Sequence, residues 1–455
     1  MVRGWLASLA AGAPPRVFLL EGADPPAPAC LLGQNGAVEV VDAPRSATLL
    51  VVAGVLPDAL LDAARLIHDQ VGRPRCTVQW THPRAPAPPV AAFPVTCTVT
   101  GSVDDLVASL IRLQADLVRG ALTSEAPILP DVEPAPWRGV GPYGQGGTGM
   151  TGGVPYGRPL AETAADRDGL KLDQLAITVG PFFPPFPTGL ALELRLQGDL
   201  VQHATVHPNP FQVRSLPSSD ESGDEAERER DDPFGTALDR PVAIARLEMA
   251  RARHHLLHLA RTLRLHGLDA LGRRAMSLRA GLRPGAVAPL CDLRQLLERT
   301  RGLAIGTTGA GHLAEATVRN RGLGPIARAS GLAEDERVED PAYTALGFVP
   351  VTHDGGDACA RWRQRLAEAI QSVQLAARAG EARSGGAGRV EAPRGPLTRE
   401  SSATASALVL LPSLLEGMEW GDAVATVVSL DLDLRDLPPA STASAGQPTA
   451  AVVAA

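Results

Sequence analysis

Three kinds of residue in this chain could do chemistry, and two are badly spaced for it. The five cysteines are Cys30, Cys76, Cys97, Cys291 and Cys359, and no two lie within twenty residues of each other. CxxC zinc sites, thioredoxin-like pairs and linear iron–sulfur motifs all need thiolates a few residues apart, so all are excluded. An odd, scattered set fits reduced thiols better than a disulfide framework. In "HHLLH", His254 and His258 stand four apart on one predicted helix face, a spacing zinc accepts. No Glu separates them as in HExxH, and no third ligand is evident, so core or interface histidines are expected. The third candidate is "EAPRG", Glu391 to Gly395, which follows a loose Gly-rich run. A surface loop has little need of an acid, a fixed-φ proline, a bidentate cation and a glycine in that order.

The elements that must position these residues can be read from apolar periodicity. "ATLLVVAG" (Ala47–Gly54) is a continuous apolar run, as in a buried parallel strand. "PDALLDAARLIHDQVG" follows as a helix with Leu60, Leu61, Ala64 and Ile67 on one face. "CTVQW" reads as a second strand, and "SVDDLVASLIRLQADLVRGAL" as an amphipathic helix capped by Ser102. Strand, helix, strand, helix predicts a parallel sheet, giving an α/β unit over residues 1–125. Residues 126–164 are a Pro/Gly-rich linker. From 165 to 440 the chain reads as α+β and mainly helical. It opens on a hairpin about "QGD" and continues through helices at "ARLEMARARHHLLHLARTLRLHG", "CDLRQLLERTRG" and "ACARWRQRLAEAIQSVQLAARAG". The acidic, apolar-free run within 216–234 is expected to be a disordered insertion, and 441–455 a disordered tail.

Composition narrows the function classes. At 455 residues with 45% hydrophobic side chains, the chain can bury a real core. A net charge of -7 gives no electrostatic case for nucleic acid. No apolar run approaches the roughly 18–20 residues that span a bilayer. The N-terminal residues lack the apolar core of a signal peptide. "GTTGAGH" (Gly306–His312) and "GQGGTGMTGG" lack the Gly-Lys-Ser/Thr ending of a phosphate loop.

Five stretches of the second half, in order, resemble one family, the D-type (49 kDa, quinone-site) subunit of respiratory complex I, itself homologous to the large subunit of nickel–iron hydrogenases. They are "DRDGLKLDQLAITVGP" with "LQGDLVQ", "RLEMARARHHLLHLA", "GLGPIARASG", "GDACARWRQRLAEAIQSV", and "EAPRG" with "GDAVATVVSLD". The matching positions include Gly324, Pro325, Arg328, Arg361, Arg365, Glu368, Ser372, Glu391, Pro393, Arg394, Asp422 and Asp431. About 80 residues of the first half, through "DAPRSATLLVVAGVLPDALLDAARLIHDQVGRPRCTVQW" and "DDLVASLIRLQ", resemble the B-type iron–sulfur subunit, which implies a flavodoxin-like parallel-sheet domain. The whole is similar to a B–D fusion, as found in complex I and in membrane-bound hydrogenase complexes. The resemblance places "EAPRG" at a proline-fixed turn that returns the chain to the core near the B-type unit. It implies a carboxylate for Arg394, with Asp422 and Asp431 as candidates.

The resemblance also shows where the redox groups should be. A [4Fe–4S] cluster needs four thiolates. Cys30 stands alone near the first family position; the third falls near Pro83 and the fourth near Val99, two residues from Cys97. Cys76 stands where the family tends to have an aromatic. No bound cluster is expected. The family's quinone histidine is replaced by Phe183 in "GPFFPPFP", and Arg251 and His255 match positions near the family's cluster. Without a cluster, Arg251 is expected to pair with a carboxylate. The implied function is a degenerate, structural or coupling subunit of a complex I-like assembly. It would have no directly bound cofactor and would sit peripherally on the cytoplasmic face of the membrane, against antiporter-like subunits. A redox-competent subunit binding quinone in a remodelled pocket is the alternative, and a stand-alone assembly factor a third reading.

Overall fold

A computed structural model describes residues 9–28, 31–33, 36–82, 93–130, 162–165, 169–211 and 232–437. The expectations for Cys30, Pro83, most of the linker and acidic run, and the tail lie outside these residues.

The first unit contains more strands than apolar runs alone suggested. Its strands are β1 (Arg16–Glu21), β2 (Glu39–Val40), β3 (Leu49–Ala53), β4 (Cys76–Thr81) and β5 (Cys97–Thr100). They form one parallel sheet in the order β2-β1-β3-β4-β5. All residues of β3 and β4 are buried, which explains the apolar run of β3, while β4 also buries the polar Thr77, Gln79 and Thr81. Side chains alternate across the sheet, so each face needs its own cover. Helix α1 (Asp58–Gln70) covers one face, packing Leu60 and Ala64 with Phe18, Leu20, Leu50 and Val52. Helix α2 (Val103–Arg119) covers the other, packing Leu106, Leu110 and Leu113 with Val17, Val51 and Val78. Its start is a capping box: Asp105 N–H donates to the Ser102 hydroxyl at 3.3 Å, and Ser102 N–H donates to the Asp105 carboxylate at 2.9 Å.

The buried positions of α1 are Leu60, Ala64 and His68, with Leu61 and Ile67 only partly covered. His68 places Nδ1 2.8 Å from Asp69 and Nε2 3.0 Å from Glu125. Glu125 also accepts from Thr77 N–H at 2.8 Å. This polar clamp fastens the segment after α2 to the start of β4, with the donors and acceptors of each buried group satisfied.

The second unit begins before residue 165, because β6 (Thr163–Ala165) pairs with β7 (Lys171–Asp173). Strands β8 (Leu175–Val179), β9 (Leu192–Gln197) and β10 (Leu200–Val206) form an antiparallel sheet. The expected hairpin turns at Gly198–Asp199, with Gly198 at φ 63°. The acidic run ends sooner than expected. The Asp232 side chain accepts from Gly235 N–H at 2.9 Å and caps a short helix, Pro233–Asp239, with proline in its first turn. β11 (Pro241–Ala243) then leads into the helices. These are α3 (Ile244–Leu265), α4 (Asp269–Ala280), α5 (Ala288–Thr300), α6 (Ala358–Arg378), α7 (Ala403–Leu415) and α8 (Trp420–Leu430). Between α6 and α7 lie β12 (Arg383–Gly385), paired with β11, and the hairpin of β13 (Arg389–Ala392) and β14 (Gly395–Thr398). α3, α5 and α6 share a core including Leu256, Leu263, Leu293, Trp362 and Leu366. The β8–β10 sheet packs on α7 and α8 through Leu192, Leu194, Leu411 and Val427.

Among the described residues, the two units meet at an apolar contact and at an ion pair. Phe182 is buried in the apolar cluster of Phe18, Leu20, Leu50 and Val52. Arg435 reaches Glu21, the last residue of β1, at 3.4 Å. Phe182→Ala is expected to cost roughly 3 kcal/mol by removing buried aromatic surface and leaving a cavity. Urea denaturation followed by circular dichroism measures this, and an unchanged midpoint would show that the aromatic contact does not join the units.

Candidate functional site: a buried ionic core

Helices α3 and α6 turn their charges toward each other. On α3, Glu248, Arg251 and His255 are buried at helical spacing; on α6 so are Arg361, Arg365, Glu368 and Ser372. Two further motifs enter between them: the turn Gly322–Gly331, carrying Arg328, and the β13–β14 hairpin, carrying Glu391 and Arg394. Ala392 pairs with Gly395, so Pro393 and Arg394 form a two-residue turn.

These two motifs are about seventy residues apart in sequence, yet their backbones touch. Gly324 has φ 51°, and a Cβ there would lie 2.2 Å from Gly395 Cα. Gly395 has φ 137°, and a Cβ there would lie 3.0 Å from Gly324 Cα. Only a residue without a side chain fits at Gly324. The contact sets Arg328 against Glu391.

Arg328 is fully buried. Its Nε and Nη2 donate to the two Glu368 oxygens at 2.8 and 3.2 Å. Its Nη1 donates to Glu391 Oε1 at 2.8 Å and lies 3.0 Å from Asp335. Burial alone would push Glu368 up, but the Arg328 guanidinium holds it well below the usual carboxylate range. Asp335 is held down to about 2: burial opposes ionisation, and Arg328 and Arg337 outweigh it. Arg337 is bidentate to Asp335 at 2.9 and 2.7 Å and stacks over Phe348 at 4.2 Å. Glu248 accepts from Tyr343 and Ser372, each at 2.6 Å.

Arg251 does meet a carboxylate, Glu248 at 3.4 Å, but its closer partners are backbone carbonyls. Its Nη2 and Nη1 donate to the carbonyls of Glu391 and Ala392 at 2.6 and 2.9 Å. It therefore holds the first half of "EAPRG" to α3. His255 lies 3.3 Å from Glu368 but out of line, and neither ring nitrogen makes a hydrogen bond among the described residues. Burial brings its pKa down to about 3, so the imidazole is neutral.

Asp431 anchors a second cluster. It follows α8 with φ 57°. Its carboxylate meets His254 at 2.7 Å, Arg365 at 3.1 Å and His258 at 3.3 Å. The zinc-spaced pair His254 and His258 thus converges on a carboxylate, and among the described residues no cluster of three His, Cys, Asp or Glu could hold a metal. Arg394 donates to the Asp431 carbonyl at 2.9 Å, to Asp436 at 2.8 Å and to Asp433 at 3.3 Å. Asp422, the other expected partner, is instead exposed in the first turn of α8, at the far end of that helix from Asp431. Asp433 also binds Arg435 through both oxygens at 2.9 and 3.0 Å, and Arg435 is the residue that reaches Glu21. Sequence reasoning missed Asp335, Arg337, Tyr343, Asp433 and Asp436; only the DLDLRD alternation of acids around Arg435 hinted at the last two.

Arg361 is buried without a carboxylate in contact among the described residues. It donates to Ser429 Oγ at 2.9 Å and to the carbonyls of Gly311 and Gly356 at 2.9 and 3.0 Å. Burial draws its pKa down to about 9, against the attraction of Asp357. Gly311 belongs to "GTTGAGH", whose backbone wraps the start of α6: Gly309 N–H donates to Asp357 at 2.7 Å, and Ala358 N–H to the Ala310 carbonyl at 2.9 Å.

Phe183 packs its ring 5.0 Å from Phe186 and 6.1 Å from Trp420. Where the resemblance implies a headgroup-binding histidine, this chain has aromatic packing. An apolar crevice lined by Leu313, Leu323, Ile326, Ala407, Leu410 and Leu414 has essentially no room for even a water molecule. Ligand pockets begin near roughly 300 Å³. The four thiols among the described residues lie on four different elements. Cys76 and Cys97 open neighbouring strands, while Cys291 and Cys359 lie in α5 and α6. Burial pushes the Cys76 thiol up to about 12.

The family model for the respiratory-chain NADH dehydrogenase, 49 Kd subunit, matches residues 287–410. This segment holds α5, the Arg328 turn, α6 and the "EAPRG" hairpin, so the similarity to the 49 Kd subunit falls on the elements of the ionic core. One of the D-type subunits of the NADH-quinone oxidoreductase of Rhizobium etli is 38% identical over 87 residues, covering 18% of this chain and 22% of that protein. Its counterpart in Sinorhizobium medicae is 37% identical over 87 residues, with the same shares of each chain covered. The chain thus spans about a fifth of the length of these curated relatives. A chain of the membrane-bound sulfane sulfur reductase (MBS), an archaeal respiratory membrane complex, superposes with a TM-score of 0.41 at 19% identity, covering 58% of this chain and 98% of that one.

Three substitutions test the core. Gly324→Ala is expected to cost roughly 3 kcal/mol by forcing Gly395 away. Gly331→Ala, where a Cβ meets nothing within 4 Å, costs only the left-handed backbone strain of about 1 kcal/mol. Equal costs at both glycines would show that the contact is not what excludes a side chain. Arg394→Ala leaves Asp431, Asp433 and Asp436 facing one another and is expected to lower stability by roughly 2–4 kcal/mol. Unchanged melting of this variant, with activity lost in its assembly, would overturn the structural role.

Proposed function

We propose that this chain is a fused B–D-type subunit in the peripheral arm of a complex I-like respiratory membrane assembly, with a structural and coupling role. The observation that carries this reading is the ionic core itself. D-type sequence over residues 287–410 is matched with a packed, paired Arg328–Glu368–Glu391 site, while Phe183 stands in aromatic packing where the resemblance implies a quinone histidine.

The first unit supports the fusion. Its parallel strand order 2-1-3-4-5 is that of the flavodoxin-like fold, where ligands bind beyond the strand ends at the β1/β3 switch point. Here that point is closed by backbone. Ala23 N–H donates to the Val55 carbonyl at 2.7 Å, and Val55 N–H to the Ala23 carbonyl at 2.8 Å. Gly54, at φ 80°, would set a Cβ 2.0 Å from the Ala23 oxygen. The same sheet end instead meets the second unit through Glu21 and Arg435. A covalent tether keeps the units at high effective concentration for each other.

No helix among the described residues is long and apolar enough to cross a membrane. The chain would attach through membrane subunits resembling antiporters, on the cytoplasmic face. Copurification from solubilised membranes is expected to bring such subunits with it. Iron analysis and an EPR spectrum of anaerobically purified protein test the rest. The expected result is no stoichiometric iron and no cluster signal; a cluster signal with stoichiometric iron would replace this reading with that of a redox-competent subunit.

A further inference from the structure

The buried ionic core does not balance. Its members are linked by contacts of 3.4 Å or less: Arg251 to Glu248, Glu248 to Arg337, Arg337 to Asp335, Asp335 to Arg328, and Arg328 to both Glu368 and Glu391. That is three guanidiniums against four carboxylates. None of these side chains is more than 4% exposed. A guanidinium stays charged throughout the range in which proteins fold. With every carboxylate ionised, the core would carry one uncompensated negative charge away from water, which is strongly unfavourable.

The neighbouring groups do not supply the missing charge. Tyr343, Ser372 and Gln364 donate hydrogen bonds to Glu248 and Glu368 but are neutral. Arg365, the next cation, is 3.1 Å from Asp431 and pairs there. His255 touches Glu368, but both Glu368 oxygens already accept from Arg328, and the ring is out of line.

Among the four carboxylates, Glu391 is the least well supplied. Glu248 accepts from Tyr343, Ser372 and Arg337. Glu368 accepts both arms of Arg328, and Gln364 at 2.7 Å. Asp335 takes two arms of Arg337 and the Arg337 N–H at 3.0 Å. Glu391 has one short bond, from Arg328 Nη1, and that nitrogen is shared with Asp335 and the Glu334 carbonyl. Its other oxygen faces only Glu336 N–H, at 3.3 Å, among the described residues.

We propose that Glu391 is a proton-binding site, so that the buried core at the "EAPRG" hairpin takes up and releases one proton while remaining folded. Burial and the neighbouring Asp335 raise the Glu391 pKa to about 7, against the pull of Arg328, Arg337 and Arg251, in agreement with this assignment. The folded pKa then lies above the ordinary 4.5 of an unfolded glutamate. The folded chain binds more protons than the unfolded one between those two values. Stability contributed by Glu391 is therefore fully present below the unfolded pKa and is lost as pH rises to neutrality.

Infrared difference spectra of the full chain between acidic and mildly alkaline pH test the proposal. A buried carboxylic-acid carbonyl band is expected to disappear as pH rises through neutrality and to be missing in Glu391→Gln. The melting temperature of the native chain should fall over the same range, and that of Glu391→Gln should not. A band and a pH dependence retained in Glu391→Gln would overturn the site. So would nitrogen NMR showing His255 titrating as an imidazolium near neutrality. If Glu391→Gln fails to fold, Asp335→Asn provides the second test. Removing the neighbouring charge should move the band's midpoint to lower pH by at least about one unit, a tenfold change in proton affinity; an unmoved midpoint counts against the proposal.

Discussion

A guanidinium with no access to water must be surrounded by acceptors, and the second unit is arranged around that requirement at Arg328. Two carboxylates from distant segments, Glu368 and Glu391, reach it at 2.8 Å, and Asp335 completes the ring at 3.0 Å. Removing either partner of such a pair leaves a charge with nowhere to go, which is why breaking it costs far more than forming it contributes. The geometry is available only because Gly324 and Gly395 let two backbones touch. The glycine contact and the ion pairs are thus one device: the first brings the motifs close enough, and the second makes the closeness favourable.

The same logic continues outward. Arg394, one residue from the glycine contact, holds Asp433 and Asp436, and Asp433 holds Arg435. Arg435 ends the series at Glu21, where β1 leaves the parallel sheet of the first unit. The pentapeptide is therefore neither an exposed active-site loop nor a simple turn. It is the point at which the helical unit's internal charges are joined to the contact between units.

Much of this was legible from local pattern. The capping residues of α2, the Gly198–Asp199 hairpin and the α3, α5 and α6 helices follow from periodicity and turn chemistry within a few residues. The members Arg251, Arg328, Glu368, Glu391 and Arg394 were legible because they stand in motifs that resemble the D-type family. Strands β1 and β5 were not. β5 has four residues and only one partner in the sheet, whereas β1, as long as β4, went unread among the apolar runs. Asp335 and Arg337 lie in a short turn with no apolar periodicity, so nothing local marked them as buried.

The sequence by itself determined that α1, α2, α3, α5 and α6 are helical, that Ser102 caps α2, and that residues 287–410 resemble the D-type family, because these depend on neighbours in the chain or on motif spacing. Tertiary structure alone decided which acids serve which arginines. Asp422 and Asp431 looked equivalent along the chain, but α8 begins at one and ends at the other, so only Asp431 faces the hairpin. It also decided that the core encloses four carboxylates and three guanidiniums. Charge balance is a property of a volume, and the volume is assembled from segments that stand more than a hundred residues apart, as Glu248 and Glu391 do.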